Sequence, residues 1–179
     1  MDRLGMPILH SSYRAALYLP SRHLQTILPF FWETPDNKLY QTEVLDLPDG
    51  DFLELDWVRT GNDQLILISH GMEGNSRSHY VQQTARYFAQ RDWDVLAWNF
   101  RGCSRQPNRL PLLYHAGATE DLSTVVKYAS GTYRRIVLVG FSMGANMVVN
   151  YAARHLMPDQ SIGRLFGSMF TPCLRTNVG

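Results

Sequence analysis

The spacing of hydrophobic residues changes character along this chain, and the changes predict its elements. The first forty residues carry no sustained period and are rich in proline and aromatic side chains (Pro20, Pro29, Phe30, Phe31, Trp32, Pro35). From Thr42 a two-residue period sets in. The stretch TEVLDL, the triplet Pro48-Asp49-Gly50 and the stretch DFLELDWV predict a β-hairpin, with Asp49-Gly50 at the turn because both residue types tolerate positive φ. In the second strand Leu53, Leu55 and Trp57 alternate with Glu54 and Asp56, which predicts one buried and one wet face.

Alternation then gives way to near-continuous apolar runs: LILIS (Leu65 to Ser69), DVLAWNF (Asp94 to Phe100) and RIVLVGF (Arg135 to Phe141). Strands covered by helices on both faces read this way, which is the habit of a parallel sheet. Between the runs the spacing is helical. Val81, Ala85 and Phe88 share a face after Ser78. Leu122, Val125, Val126 and Ala129 share another, with Thr119 placed to cap, Glu120 and Asp121 in the first turn and Gly131 past the end. A third helix is predicted from Ala145 to Leu156. Strand and helix alternating in this order predict an α/β fold with right-handed crossovers. GRLFGSMF (Gly163 to Phe170) reads as a further strand weakened by its glycines, and the final residues show no pattern. A sheet ending after the third run would leave an unpaired edge.

The candidate chemistry lies where the third run meets the third helix. Val139-Gly140-Phe141-Ser142-Met143-Gly144-Ala145 contains Gly-x-Ser-x-Gly between a buried strand and a helix. A serine hydroxyl is a poor nucleophile unless it is exposed, held still and relieved of its proton by a neighbour. A sharp strand-to-helix turn would expose Ser142, and Gly140 and Gly144 would make room for so tight a turn. The start of the helix would aim the Met143 N–H, and the positive end of the helix dipole, at a developing oxyanion. The first apolar run ends in His70-Gly71-Met72-Glu73-Gly74, a pattern whose Met72 N–H would supply the second oxyanion donor. A phosphate cradle in GMEGNSRS is not expected, because the Walker spacing and its Gly-Lys-Ser/Thr ending are absent.

Composition narrows the function. The chain has 179 residues, 45% hydrophobic and 18% charged, in the range of an ordinary globular domain. A formal net charge of +1 speaks against a nucleic-acid partner. Two cysteines, Cys103 and Cys173, show no metal-ligand spacing and fit a reducing, cytoplasmic setting. The N-terminal stretch, interrupted by Arg3, His10 and Arg14, reads as neither a signal peptide nor a membrane span.

SRHLQTILPFFW (Ser21 to Trp32), LDLPDGDFLELDW (Leu45 to Trp57), HGMEGNSRSHYV (His70 to Val81), WNFRGCSRQPN (Trp98 to Asn108), YHAGATEDL (Tyr114 to Leu122) and GFSMGAN (Gly140 to Asn146) occur in that order. As a set they closely resemble the YheT-like family of α/β-hydrolases, related to abhydrolase-domain esterases and acylglycerol lipases. The resemblance implies an α/β-hydrolase fold acting without cofactor or metal on a small-molecule ester, a short-chain acyl ester or a monoacylglycerol, with transient lipid contact left open. Ser142 matches the family nucleophile. Family members hold Leu-Gly-Gly where this chain has Met143-Gly144-Ala145. In the family the acid and the base histidine lie in a second half, so the expectation is an irregular segment over residues 1–40 and, over 41–179, a partial hydrolase domain without its catalytic Asp and His.

The internal histidines are poor substitutes. His155 lies on the same helix as Ser142, roughly 20 Å away at 1.5 Å per residue. His70 belongs to the oxyanion loop, His115 to the long loop Cys103 to Ala118, and His10, His23 and His79 read as surface or packing residues. Arg101 is expected to anchor that long loop, Cys103 to fill a small buried space, and Trp93 and Trp98 to sit in the core. Besides the esterase reading two others stand: a non-catalytic fragment, inactive alone, and an acyltransferase or thioesterase built on the same turn.

Overall fold

The computed structural model of the chain describes residues 21, 23, 36, 38–115, 117, 119–155 and 173–175. The chain divides into two units, Met1–Thr34 and Pro35–Gly179. In the first, the His23 N–H donates to Ser21 Oγ at 3.3 Å. Most of the motif Ser21 to Trp32, and the stretch Gly163 to Phe170, lie outside the described residues.

The second unit holds β1 (Gln41–Asp46), β2 (Phe52–Val58), β3 (Gln64–Ser69), α1 (His79–Ala89), β4 (Asp94–Trp98), α2 (Glu120–Ser130), β5 (Arg135–Gly140), α3 (Met143–His155) and β6 (Cys173–Arg175). The strands form one sheet in the order β1-β2-β4-β3-β5-β6. The three apolar runs are its parallel centre, with β3 flanked by β4 and β5. β2 joins β4 antiparallel, with Leu55 opposite Trp98, and β1 closes the hairpin beyond it.

Both faces of the centre are covered, which is why its strands are apolar throughout. Leu65, Leu67, Leu96, Trp98, Ile136 and Leu138 pack with Leu122 and Val125 of α2 and Met147 and Val148 of α3. Their alternates Ile66, Ile68, Val95, Ala97, Val137 and Val139 pack on the other face with Val81 and Ala85 of α1. Full burial of each such side chain contributes about 1.5–3 kcal/mol. The chain runs from β3 through α1 to β4 on one side, then through α2 to β5 on the other. β3 and β5 thus feed helices on opposite faces, and the carboxyl ends of such a pair of strands are where open α/β sheets bind ligands.

Several expectations need correction. β2 has no wet face: Glu54 is 5% and Asp56 0% exposed. β2 lies inside the sheet, and its polar side is roofed by the loops after β3 and β4. There Asp56 accepts hydrogen bonds from Thr42 Oγ1 (2.5 Å), Ser76 Oγ (2.5 Å) and Asn99 Nδ2 (3.2 Å). The outer edge of β5 is paired as well, because β6, within the patternless tail, runs antiparallel to it. The third helix begins at Met143, two residues before the apolar spacing suggests. Thr119 stands at the N-cap of α2 without a side-chain capping bond; its hydroxyl instead accepts from Arg154 Nη1 at 3.1 Å. In the hairpin turn only Gly50 uses positive φ, at 89°.

Arg101, just past β4, ties these parts together. Its Nε and Nη2 grip both carboxylate oxygens of Asp121 at 2.8 Å, and Nη1 reaches Asp49 at 2.7 Å and Asp51 at 3.1 Å. It therefore links the hairpin turn to the start of α2, whereas the sequence assigned it to the long loop Cys103 to Ala118, to none of whose described residues it bonds.

Candidate active site

The candidate site is built by two chain reversals. At the end of β5 the backbone turns so sharply that Ser142 takes φ 51°, a left-handed conformation that side chains other than glycine avoid. The turn is closed by Gly144 N–H to Phe141 O (2.8 Å) and Ala145 N–H to Ser142 O (3.0 Å), and it is tied to β3 by Phe141 N–H to Ser69 O (3.0 Å). Ser142 itself is exposed. Both flanking glycines are required by packing. A Cβ on Gly140 would lie 2.5 Å from Ala145 Cα, and one on Gly144 would lie 2.3 Å from His70 O and 2.4 Å from Ser69 O. These are backbone atoms with no slack. Met143 opens α3, and its N–H has no acceptor among the described residues.

The second reversal, after β3, runs alongside the first. A Cβ on Gly71 would be 3.5 Å from Ser142 Cβ and 3.5 Å from Phe141 O, so the two turns are in contact. Gly74 N–H donates to Gly71 O at 3.1 Å, and Glu73 takes φ 56°. Tyr80 Oη accepts the Gly71 N–H at 3.0 Å and Tyr114 Oη accepts the Glu73 N–H at 2.9 Å. No role for either tyrosine was legible in the sequence, although both fall within its ordered motifs; the signal lies in contacts across 9 and 41 residues. Met72 is exposed, and its N–H has no acceptor among the described residues. The structure thus brings Ser142, Met143, Gly140, Gly144 and the Met72 loop together.

Among the described residues it brings no base to them. His70 is 1% exposed and both its nitrogens are occupied: Nδ1 donates to Gly71 O at 2.7 Å, and Nε2 accepts the Phe100 N–H at 3.2 Å. Its ring stacks on Phe100 at 3.8 Å, and burial lowers its pKa to about 4, with the bond to Gly71 O only partly offsetting this. It is a neutral structural imidazole. His115 is exposed, with Nδ1 accepting from the Gly117 N–H at 3.3 Å, and His155 stacks on Tyr151 at the far end of α3. Among the described residues no histidine or carboxylate is hydrogen-bonded to the Ser142 hydroxyl. Cys103 is half-buried, and burial raises its thiol pKa. No group of three His, Cys, Asp or Glu is placed to hold a metal ion, and no helix is long and apolar enough to cross a membrane, among the described residues. A separate small cleft, lined by Glu54, Ser76, Asn99, Cys103, Ser104 and Arg105 among others, lies over the β2–β4 end of the sheet and does not include Ser142.

Comparison with known proteins agrees with this architecture. The chain is 32% identical over 151 residues to YheT of Escherichia coli (strain K12), covering 78% of this chain and 44% of that protein. It is 32% identical over 90 residues to the monoacylglycerol lipase of Saccharomyces cerevisiae, covering 49% of this chain and 20% of the lipase. The chain therefore spans less than half the length of these curated relatives. Among solved structures, the Pyrococcus furiosus esterase Pf2001 superposes with a TM-score of 0.57 at 23% identity, over 65% of this chain and 47% of the esterase, a likeness of fold. Residues 64–169, more than half of the chain, match the family model of the alpha/beta hydrolase fold, and the chain belongs to that family.

Proposed function

We propose that Ser142 is the nucleophile of a carboxylic ester hydrolase, that the Met72 and Met143 N–H groups hold the oxyanion, and that a histidine and an acid from outside the described residues handle the protons. The conformation of Ser142 carries this reading. A non-glycine residue at φ 51° costs about 1–3 kcal/mol, and packing does not require a serine there. What the strain achieves is an exposed hydroxyl at the carboxyl edge of the sheet, beside two N–H groups without acceptors among the described residues.

In this reaction Ser142 Oγ bonds to the ester carbonyl carbon while the histidine takes its proton. The negative charge that develops on the carbonyl oxygen is met by the two N–H groups. Collapse expels the alcohol, which leaves with the proton from the imidazolium. Water, deprotonated by the same histidine, then attacks the acyl-enzyme, releases the acid and restores the serine. No cofactor enters. The esterase in YheT's name and the yeast monoacylglycerol lipase favour carboxylic esters, monoacylglycerols among them, as the substrate class.

The test is intact-mass measurement after incubation with a fluorophosphonate, beside hydrolysis of p-nitrophenyl butyrate, for the chain and for Ser142→Ala. One adduct on Ser142, absent from the variant, is the expected result. Turnover of the ester by the chain alone is expected to be negligible, because loss of the base costs several powers of ten in rate. An adduct that persists in Ser142→Ala would exclude Ser142 as the nucleophile.

A further inference from the structure

The loop from Gly71 to Gly74 carries four successive backbone N–H groups, and the two tyrosines treat them unequally. Gly71 N–H is taken by Tyr80 Oη, Glu73 N–H by Tyr114 Oη and Gly74 N–H by Gly71 O. Met72 N–H, between the two groups held by tyrosines, is left over. The peptide units before and after the one bearing the Met72 N–H are thus each pinned by a hydroxyl, and the unit between them is held at its own carbonyl, Gly71 O, by His70 Nδ1 at 2.7 Å and the Gly74 N–H at 3.1 Å.

The two hydroxyls come from different parts of the fold. Tyr80 stands in the first turn of α1, and its ring packs at 4.7 Å on Phe141, the residue before Ser142. Tyr114 reaches in from the long loop after β4; its ring packs at 5.3 Å on Phe100, which stacks on His70. Satisfying the Glu73 N–H does not require a tyrosine, because Glu73 is exposed and water could bond there. What a fixed hydroxyl adds is orientation, including support for Glu73 at φ 56°.

We propose that Tyr80 and Tyr114 are positioning residues that clamp the loop on both sides of Met72 and thereby aim its N–H at the oxyanion. The proposal rests on the reading of Ser142 as nucleophile and Met72 as donor. Neither tyrosine touches the reacting atoms. Preorganised donors act because they need no reorientation as charge develops, so a loop free to turn would lose rate without losing binding.

Tyr80→Phe and Tyr114→Phe keep the rings and remove only the hydroxyls, and each tests the proposal by itself. Two measurements apply to the full chain: hydrogen exchange of the loop amides by NMR, and saturation kinetics of Ser142 phosphonylation by a fluorophosphonate. In that step Ser142 Oγ bonds to phosphorus, fluoride departs, the hydroxyl proton passes to solvent and charge gathers on the phosphoryl oxygen. Without a paired base, the rate above that of a free serine comes from oxyanion stabilisation and binding. Deleting a whole oxyanion donor costs about 100- to 1,000-fold, so loss of one clamp is expected to lower the maximal phosphonylation rate about tenfold, with the half-saturating concentration unchanged. Exchange should quicken at Gly71 in Tyr80→Phe and at Glu73 in Tyr114→Phe. Quickened exchange with an unchanged rate overturns the proposal, and so does a rate loss carried wholly by the half-saturating concentration. Unchanged exchange at Gly71 in Tyr80→Phe and at Glu73 in Tyr114→Phe overturns the clamp, and an adduct that persists in Ser142→Ala overturns the reading of Ser142 itself, and the clamp with it.

Discussion

Gly144 at the start of α3 lies against the carbonyl of His70 at the end of β3, so closely that a Cβ would stand 2.3 Å from the carbonyl oxygen. Through this contact the Ser142 turn and the Met72 loop are held as one body. Neither partner can yield: His70 O belongs to a buried backbone whose side chain is bonded at both nitrogens. Gly144→Ala is therefore expected to destabilise the fold by about 3 kcal/mol, the upper end for overpacking a dense core. It should also separate the two turns. Urea denaturation measures the first effect and the rate of Ser142 phosphonylation the second.

Ser142 offers a sharper comparison, because its strain and its chemistry separate by substitution. Glycine accepts φ 51° without penalty whereas alanine does not. Ser142→Gly and Ser142→Ala should both abolish labelling, while only the glycine variant gains stability, by about 1 kcal/mol, in thermal or urea unfolding. Equal stabilities would show that the turn stores no strain.

His70 predicts an acid-labile fold. Its imidazole binds a proton at about 4 when folded and at 6.5 in the free side chain. Between those values the unfolded chain takes up a proton that the folded one refuses. The His70 contribution to stability is thus fully present above about pH 6.5 and falls as the pH drops towards 4, by up to about 3 kcal/mol. Denaturant midpoints measured between pH 4 and 7 should show this slope, and His70→Gln should flatten it. An imidazole that titrates near 6.5 by NMR in the folded protein would contradict the assignment.

Arg101 neutralises a buried carboxylate. Asp51 is 0% exposed; burial pushes its pKa up, but the Arg109 and Phe52 N–H groups, Asn108 and the charge of Arg101 outweigh that and hold it low. Arg101→Ala removes the charge and leaves Asp51 and Asp121 facing the cavity, which is expected to cost about 3–5 kcal/mol. Arg101→Lys should recover only part of this, since an ammonium cannot grip both oxygens of Asp121. Thermal unfolding of the two variants decides between this account and a minor surface role.

Much of this was legible in one dimension. The three apolar runs became the parallel centre because their continuity reflects cover on both faces, a property of each strand's own composition. The spacing of Leu122, Val125, Val126 and Ala129 marked the buried stripe of α2 for the same local reason. Gly-x-Ser-x-Gly marked the turn at Ser142, since the need for small residues beside it is written in adjacent positions.

What the sequence could not settle depended on groups distant along the chain. Alternation in β2 suggested a wet face, yet Asp56 is sealed by Thr42, Ser76 and Asn99. Only the order of strands puts β2 beneath two loops, and strand order is not encoded in any local period. The tail strand β6 had no pattern to betray it, because it pairs through backbone with β5. The sequence assigned His70 to the oxyanion loop, but that its two nitrogens are taken up by Gly71 and Phe100 is visible only in the fold. The sequence by itself determined the elements from the hairpin to α3 and the position of the turn at Ser142, because those follow from spacing and residue type. The tertiary structure alone decided which polar groups are satisfied, which histidine is sealed and which N–H groups remain free, because each of these is a contact between segments that only the completed sheet brings together.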